Sequence, residues 1–229
     1  MFIIGGVQKS SLIDFPHKIA AIVFTQGCNF RCGYCHNAEL IGFSLKSKFG
    51  YNEFFEFLET RKGKLDGVVI TGGEPTLQSS LRDFIIRIKS MGFEVKLDTN
   101  GTNPEVLERL INENLLDYIA MDIKAPFEKY YEIAGVEVNI ENIKKSVELI
   151  MNTGVDYEFR TTVIKSQLSF EDFEKIGEQI RGAEKYYLQK FEPSKIYDKT
   201  LENEKTYADE EFSEICKILE KYVKVVGVR

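Results

Sequence analysis

Lys18-Ile-Ala-Ala-Ile-Val-Phe-Thr25-Gln-Gly-Cys28-Asn-Phe-Arg-Cys32-Gly-Tyr-Cys35-His-Asn37 joins a short apolar, β-branched run to a polar loop carrying three cysteines within eight residues. The run at 19–25 reads as a buried strand. The same unit recurs along the chain, with strands expected at 67–71, 93–98, 118–123, 157–164 and 186–191. The stretches between them place apolar residues at helical spacing, giving helices at 52–62, 79–91, 104–112, 140–151 and 170–179. In the second of these, Leu81, Phe84, Ile85 and Ile88 form one stripe. Ser80 with Asp83, and Asn103 ahead of Pro104, supply helix-start signals. A last helix at 208–222 and an apolar tail at 223–228 close the chain.

Six βα units without a composition break predict an α/β fold, with a parallel sheet curled into a partial (β/α)6 TIM-like barrel. One domain is expected over residues 1–229, with its core at about 18–191 and the C-terminal helix and tail at 208–229. Six units do not close an eight-stranded barrel. The expected form is therefore splayed, with its chemistry in the loops that follow the strands.

The composition sets bounds on function. The 229 residues are 43% hydrophobic, enough for one sizeable core, and the net charge of -6 comes from dispersed charges. No concentrated basic field for nucleic acid is present. The first eight residues do not resemble a secretory signal, and no apolar stretch reaches the length of a membrane span, so a cytoplasmic protein is expected. Three clustered cysteines in such a compartment point to metal rather than to crosslinks.

The loop chemistry leaves two readings. Thiolates bind both zinc and iron-sulfur clusters. Cys28, Cys32 and Cys35 converge only if the backbone wraps around one centre, which Gly27 and Gly33 permit. A structural zinc site takes four ligands, whereas a four-iron cluster on three thiolates leaves one iron open to a small molecule.

Cys-x3-Cys-x2-Cys after a first strand, with an aromatic residue before the last cysteine, resembles the radical S-adenosylmethionine (SAM) superfamily. Tyr34-Cys35-His36-Asn37 further resembles the glycyl-radical activating enzymes, above all those serving anaerobic ribonucleotide reductase and, related to them, pyruvate formate-lyase. That resemblance spans Gly6 to about Phe191. It implies a 4Fe-4S cluster on Cys28, Cys32 and Cys35, reductive cleavage of S-adenosyl-L-methionine, and a 5'-deoxyadenosyl radical that takes a hydrogen atom from a glycine of a partner enzyme. It also implies a flavodoxin or ferredoxin type reductant.

Other strand ends acquire roles through the same resemblance. Thr71-Gly72-Gly73-Glu74-Pro75 matches the segment that pairs with the SAM amino group, which implicates Gly72, Gly73 and Glu74. Asp98-Thr99-Asn100-Gly101 and Asp122-Ile-Lys124 match segments holding a monovalent cation and the SAM carboxylate. Asp98, Thr99 and Asp122 are the implied cation ligands, with Asn100 and Lys124 among the SAM contacts. Arg160 on the fifth strand reads equally as an outward surface charge or as an inward one that needs a partner; the resemblance implies the second, with a contact to ribose or carboxylate. Tyr34 and His36 are implied contacts to adenine. The sixth strand, Tyr187-Leu-Gln189-Lys-Phe191, lacks the histidine of the formate-lyase activators and favours the ribonucleotide reductase type, with Gln189 as a further contact.

Two alternatives stand beside this reading. One is a small-molecule radical enzyme of the 7-carboxy-7-deazaguanine synthase type; the other is a non-enzymatic metal-binding or electron-transfer protein. Phe54, Phe55, Phe57 and Leu58 read as the core face of the first helix, and Cys216 as a small buried side chain.

Overall fold

The computed structural model describes residues 2–43 and 49–229. In chain order its main elements are β1 (Ile4–Ser11), β2 (Ala20–Thr25), α1 (Tyr51–Glu59), β3 (Gly67–Gly72), α2 (Leu81–Ser90), β4 (Glu94–Thr99), α3 (Pro104–Asn112), β5 (Tyr118–Asp122), α4 (Tyr130–Ala134), α5 (Ile140–Met151), β6 (Asp156–Val163), α6 (Phe170–Gln179), β7 (Lys185–Lys190), α7 (Asp209–Leu219) and β8 (Val225–Val228).

Among the described residues the strands form one sheet in the order β1 through β8. Strands β2 to β7 are the six expected units, mutually parallel. Two further strands extend the sheet beyond the sequence reading. β1 runs antiparallel along β2, pairing Ile4 with Thr25 and Ser11 with Ala20. The apolar tail becomes β8, parallel to β7, with Lys185 opposite Val225 and Leu188 opposite Val228. β1 and β8 stand at opposite edges, so the barrel stays open, as a splayed (β/α)6 form requires.

Parallel strands covered on both faces are apolar throughout, and β3 shows it: Val68, Val69 and Ile70 are all buried. The main core lies between the sheet and the helices. α2 buries Leu81, Phe84, Ile85 and Ile88 as its spacing dictates. Phe54, Phe55 and Leu58 do the same from α1, while Phe57 is half-buried beneath Arg61. A smaller cluster, Phe15, Ala20, Ile22, Val69 and Tyr118, fills the concave side near the strands' N-terminal ends. Gly67 leaves room there, since a Cβ would stand 2.8 Å from the Phe15 ring.

Local capping differs from expectation at two helices. The Ser80 side chain makes no cap bond to α2, and Asn103 makes none to α3; its amide donates instead to Thr76 Oγ1 at 2.9 Å. At α6 a reciprocal capping box does form, with Asp172 N donating to Ser169 Oγ and Ser169 N to Asp172 Oδ2. Cys216 on α7 is half-buried rather than buried.

Candidate active site

Side chains alternate faces along a strand. The ladder pairs Lys96 with Tyr118, Asp98 with Ala120, Asp122 with Arg160 and Thr162 with Gln189. Register thus brings Lys96 and Asp98 of β4, Asp122 of β5, Arg160 and Thr162 of β6 and Gln189 of β7 to one concave surface. At the strands' C-terminal ends this surface bounds a cavity of ≈ 250 Å³.

All three loop cysteines line that cavity, together with Tyr34, His36, Gly72, Gly73, Glu74, Asp98, Thr99, Asn100, Asp122, Lys124, Arg160 and Gln189. Every side chain singled out in the sequence for the site is therefore in one place. Phe30, Asn37, Ile41, Thr71 and Thr162 complete the lining.

The cysteine loop is tied down along its length. Gly27 N donates to Leu40 O at 2.7 Å, Cys28 N to Ile41 O at 3.1 Å, and Arg31 N to Ala134 O at 2.7 Å. Asp198 N donates to Gly33 O at 2.8 Å, and His36 Nε2 pairs with Glu192 O at 2.8 Å. The guanidinium of Arg31 folds back onto the carbonyls of Cys28 and Phe30. Asn29 reaches Thr102 and Asn100, joining the loop to the end of β4.

Gly72 and Gly73 are where this loop meets β3. A Cβ on Gly73 would lie 2.1 Å from Gly27 O, and one on Gly72, at φ +113°, would lie 2.2 Å from Thr25 N. Gly73 N donates to Thr25 O and Glu74 N to Gly27 O. Backbone thus packs directly on backbone. Gly73→Ala is accordingly expected to cost about 2 kcal/mol or more and to lower the melting midpoint by roughly 4–8 °C. The same variant should take up less iron on anaerobic reconstitution; an unchanged midpoint would contradict this contact.

Glu74 is buried and already engaged. Its carboxylate accepts from Thr76 N, Thr76 Oγ1 and Thr99 Oγ1 through one oxygen, and from Asn100 N through the other. Burial pushes its carboxyl up against these bonds. Glu74 thereby fixes the ends of β3 and β4 relative to each other.

The charged wall is a chain of alternating sign. Lys96 Nζ lies 2.5 Å from Asp98 Oδ1, and Arg160 reaches Asp98 Oδ2 at 3.2 Å. Arg160 also holds Asp122 Oδ1 at 3.0 Å, and Lys124 Nζ holds Asp122 Oδ2 at 3.0 Å. Burial alone would raise Asp122, but Arg160 and Lys124 bring its carboxyl down to about 2. Burial would lower Lys124, yet Asp122 and Tyr34 keep its ammonium charged well above the usual range. Of this chain's three cations Lys124 and Arg160 line the cavity, where they can meet an incoming carboxylate.

Burial pushes the Cys28 thiol up to about 12, and it raises Cys32 and Cys35 as well. Such thiols become ligands when a metal centre displaces their protons. The Tyr34 hydroxyl is buried with no hydrogen-bond partner among the described residues, and the Lys124 ammonium sits 5.7 Å from its ring centroid. An unpaired buried hydroxyl beside three thiols and the Lys124 ammonium fits a cluster carrying a small molecule that presents a carboxylate. Among the described residues no three His, Cys, Asp or Glu side chains gather as one ion would require, whereas a cluster spreads its ligands over several irons.

The fold and this cavity define a radical SAM enzyme, and comparison with known proteins agrees. The model of the Radical SAM superfamily matches residues 22–180, so the chain belongs to that superfamily, whose members use a 4Fe-4S cluster and SAM. Within it, the chain is 38% identical over 235 residues to a Methanocaldococcus jannaschii protein provisionally named a glycyl-radical enzyme activating enzyme, covering 99% of this chain and 95% of that one. It is 29% identical over 196 residues to the pyruvate formate-lyase-activating enzyme of Clostridium pasteurianum, covering 81% and 80%. The protein is a radical SAM enzyme of the glycyl-radical activating group. Streptococcus suis SuiB, in a crystal structure bound to S-adenosylmethionine, shares the fold with a TM-score of 0.67 at 15% identity, over 89% of this chain and 48% of that one.

Several contributors to the concave face escape a reading of strand ends. Lys96 and Glu158 are each 1% exposed. Glu158 accepts both terminal nitrogens of Arg229 at 2.9 Å and the Tyr118 hydroxyl at 3.0 Å. A spacing of two residues from Asp98 and from Arg160 is the signal that places both on this face.

Proposed function

We propose that this enzyme generates a glycyl radical in anaerobic ribonucleotide reductase, acting on a glycine of that protein, with a flavodoxin or ferredoxin type reductant as its electron source and the cytoplasm as its location. What supports the reading most is the convergence of the anchored cysteine loop and five further strand ends on one cavity. Among the described residues no helix is long and apolar enough to cross a membrane. Gln189, lining the wall where formate-lyase activators resemble one another in carrying histidine, favours the ribonucleotide reductase partner.

In this reading Cys28, Cys32 and Cys35 hold the cluster. When bound, the cluster and S-adenosylmethionine supply a one-electron cleavage that ends in hydrogen-atom abstraction. The chain's own residues bind and orient. Lys124 and Arg160 supply the positive charge that draws the carboxylate of SAM. Gly72 and Gly73 seat the cysteine loop on β3 at the cavity wall, Tyr34 offers an unpaired hydroxyl, and His36 is fixed by Glu192 at the rim. Phe30 and Ile41 give the cavity apolar surface that limits water. The open sheet leaves a lateral way in for a loop of a protein substrate.

The test is to incubate the reduced, reconstituted enzyme anaerobically with SAM and a candidate ribonucleotide reductase. The expected result is the doublet paramagnetic signal of a glycyl radical on the partner. Release of methionine with no such signal on this partner, but with one on a formate-lyase type partner, would reassign the substrate.

A further inference from the structure

Each oxygen of the two carboxylates that the family resemblance marks for a monovalent cation already faces a side-chain cation. Lys96 takes Asp98 Oδ1, Arg160 takes Asp98 Oδ2 and Asp122 Oδ1, and Lys124 takes Asp122 Oδ2. Thr99 Oγ1, the third marked oxygen, donates to Glu74 and accepts from Gly101 N at 3.1 Å. An alkali cation needs several oxygen donors and a local excess of negative charge. Here the two carboxylates already face three side-chain cations.

Lys96 is the unusual member of this set. Its side chain is 2% exposed in the middle of β4, between the apolar Val95 and Leu97, and an ammonium in such a place persists only against a carboxylate. Its nitrogen meets Asp98, and its stem lies in the concave interior, with the nitrogen 6.0 Å from the Tyr118 ring centroid.

We infer that Lys96 is a positioning residue whose tethered ammonium, with the Arg160 guanidinium, does the work of a soluble monovalent cation, so that this enzyme binds SAM independently of sodium and potassium. The inference rests on the reading of the cavity as the SAM site. Asp98 is held by Lys96 from below and by Arg160 from the side, which keeps the end of β4 in place for the ligand's carboxylate. A tethered charge is present in every molecule, whereas a dissolved ion must bind first, so the site is organised before the ligand arrives.

The experiment measures SAM affinity of the reconstituted enzyme by equilibrium dialysis in potassium chloride and in choline chloride at matched ionic strength. Thallium(I) relaxation serves as a direct probe of alkali-ion binding that needs no SAM. The wild type is expected to bind SAM with constants that agree within about twofold in the two salts and to show no site-bound thallium. Lys96→Met is expected to bind about tenfold more weakly in choline, to recover in potassium, and to acquire a thallium site, which a merely structural role would not produce. A wild type that needs potassium, or that binds thallium in the cavity, overturns the inference. So does a Lys96→Met variant that is equally weakened in both salts. Should that variant fail to fold, Lys96→Gln replaces it and the wild-type salt comparison still decides. Absence of SAM binding in every salt would instead refute the assignment of the cavity, while the thallium measurement would still judge Lys96.

Discussion

Replacing Cys32 by alanine is expected to leave a folded protein that assembles no cluster, shows no visible iron-sulfur absorbance and releases no methionine from SAM. The two effects separate because the side chain does two different things. As a buried group Cys32 fills little volume, and its loss costs about 1 kcal/mol, equivalent to a fall of roughly 2–4 °C in midpoint. As one of three thiols on the anchored loop, it has no substitute: the other cysteine of the chain, Cys216, is on α7 and does not line the cavity. Cys28→Ala and Cys35→Ala should behave alike, and Cys216→Ala should retain full absorbance. Survival of the visible absorbance in Cys32→Ala, measured after anaerobic reconstitution, would remove Cys32 from the ligand set. A fall in midpoint far beyond a few degrees would show instead that the thiol is a packing element.

How much of this was readable in advance follows from where polarity sits in the chain. The six parallel strands are short apolar runs bounded by amphipathic segments, so their period and length announce them, and the ends at 104–112, 140–151 and 170–179 agree residue for residue with α3, α5 and α6. β1 was not legible because Gln8, Lys9 and Ser10 interrupt its apolar half, and its partner β2 is what orders it. β8 is four residues long, and only the exposed edge of β7 gives it a ladder. Five-residue α4 is too short for periodicity to register. The candidate site was legible because polar groups recur at successive strand ends, where any single one reads as a cap or a solvated charge, and because the family resemblance attached roles to them. Lys96 and Glu158 lie within strands, where an isolated charge reads as a solvent-facing residue. Both are buried, and only the two-residue spacing to Asp98 and Arg160 and the sheet register show that they share the interior with the site. The expected cap at Asn103 is lost because its amide is drawn to Thr76 on the neighbouring strand-to-helix loop.

Arg160→Met is expected to be the most destabilising change on the cavity wall that leaves the cysteines intact. The guanidinium bridges Asp98 and Asp122, and its removal leaves two mostly buried carboxylates with one partner each, at a cost of about 3 kcal/mol. In a chain of this length that lowers the midpoint by roughly 6–12 °C. The pH dependence identifies the cause. Asp122 has its carboxyl lowered from 3.8 to about 2, despite the opposing effect of burial, because Arg160 and Lys124 favour the ionised form. A group whose folded value lies below its unfolded value stabilises the fold above the unfolded value, and that contribution disappears as pH falls through the folded one. Asp122 therefore contributes about 2 kcal/mol at neutral pH, lost between about pH 4 and pH 2, with Asp98 acting in the same direction. Urea unfolding of the cluster-free protein across this range should show the gap between wild type and Arg160→Met at full size near pH 7 and shrinking as the carboxylates protonate. A gap that stays constant down to pH 2 would mean that lost packing, and not the bridge, explains the variant. Arg160→Lys should restore only part of the difference, since a single ammonium cannot span both carboxylates as the planar fork does.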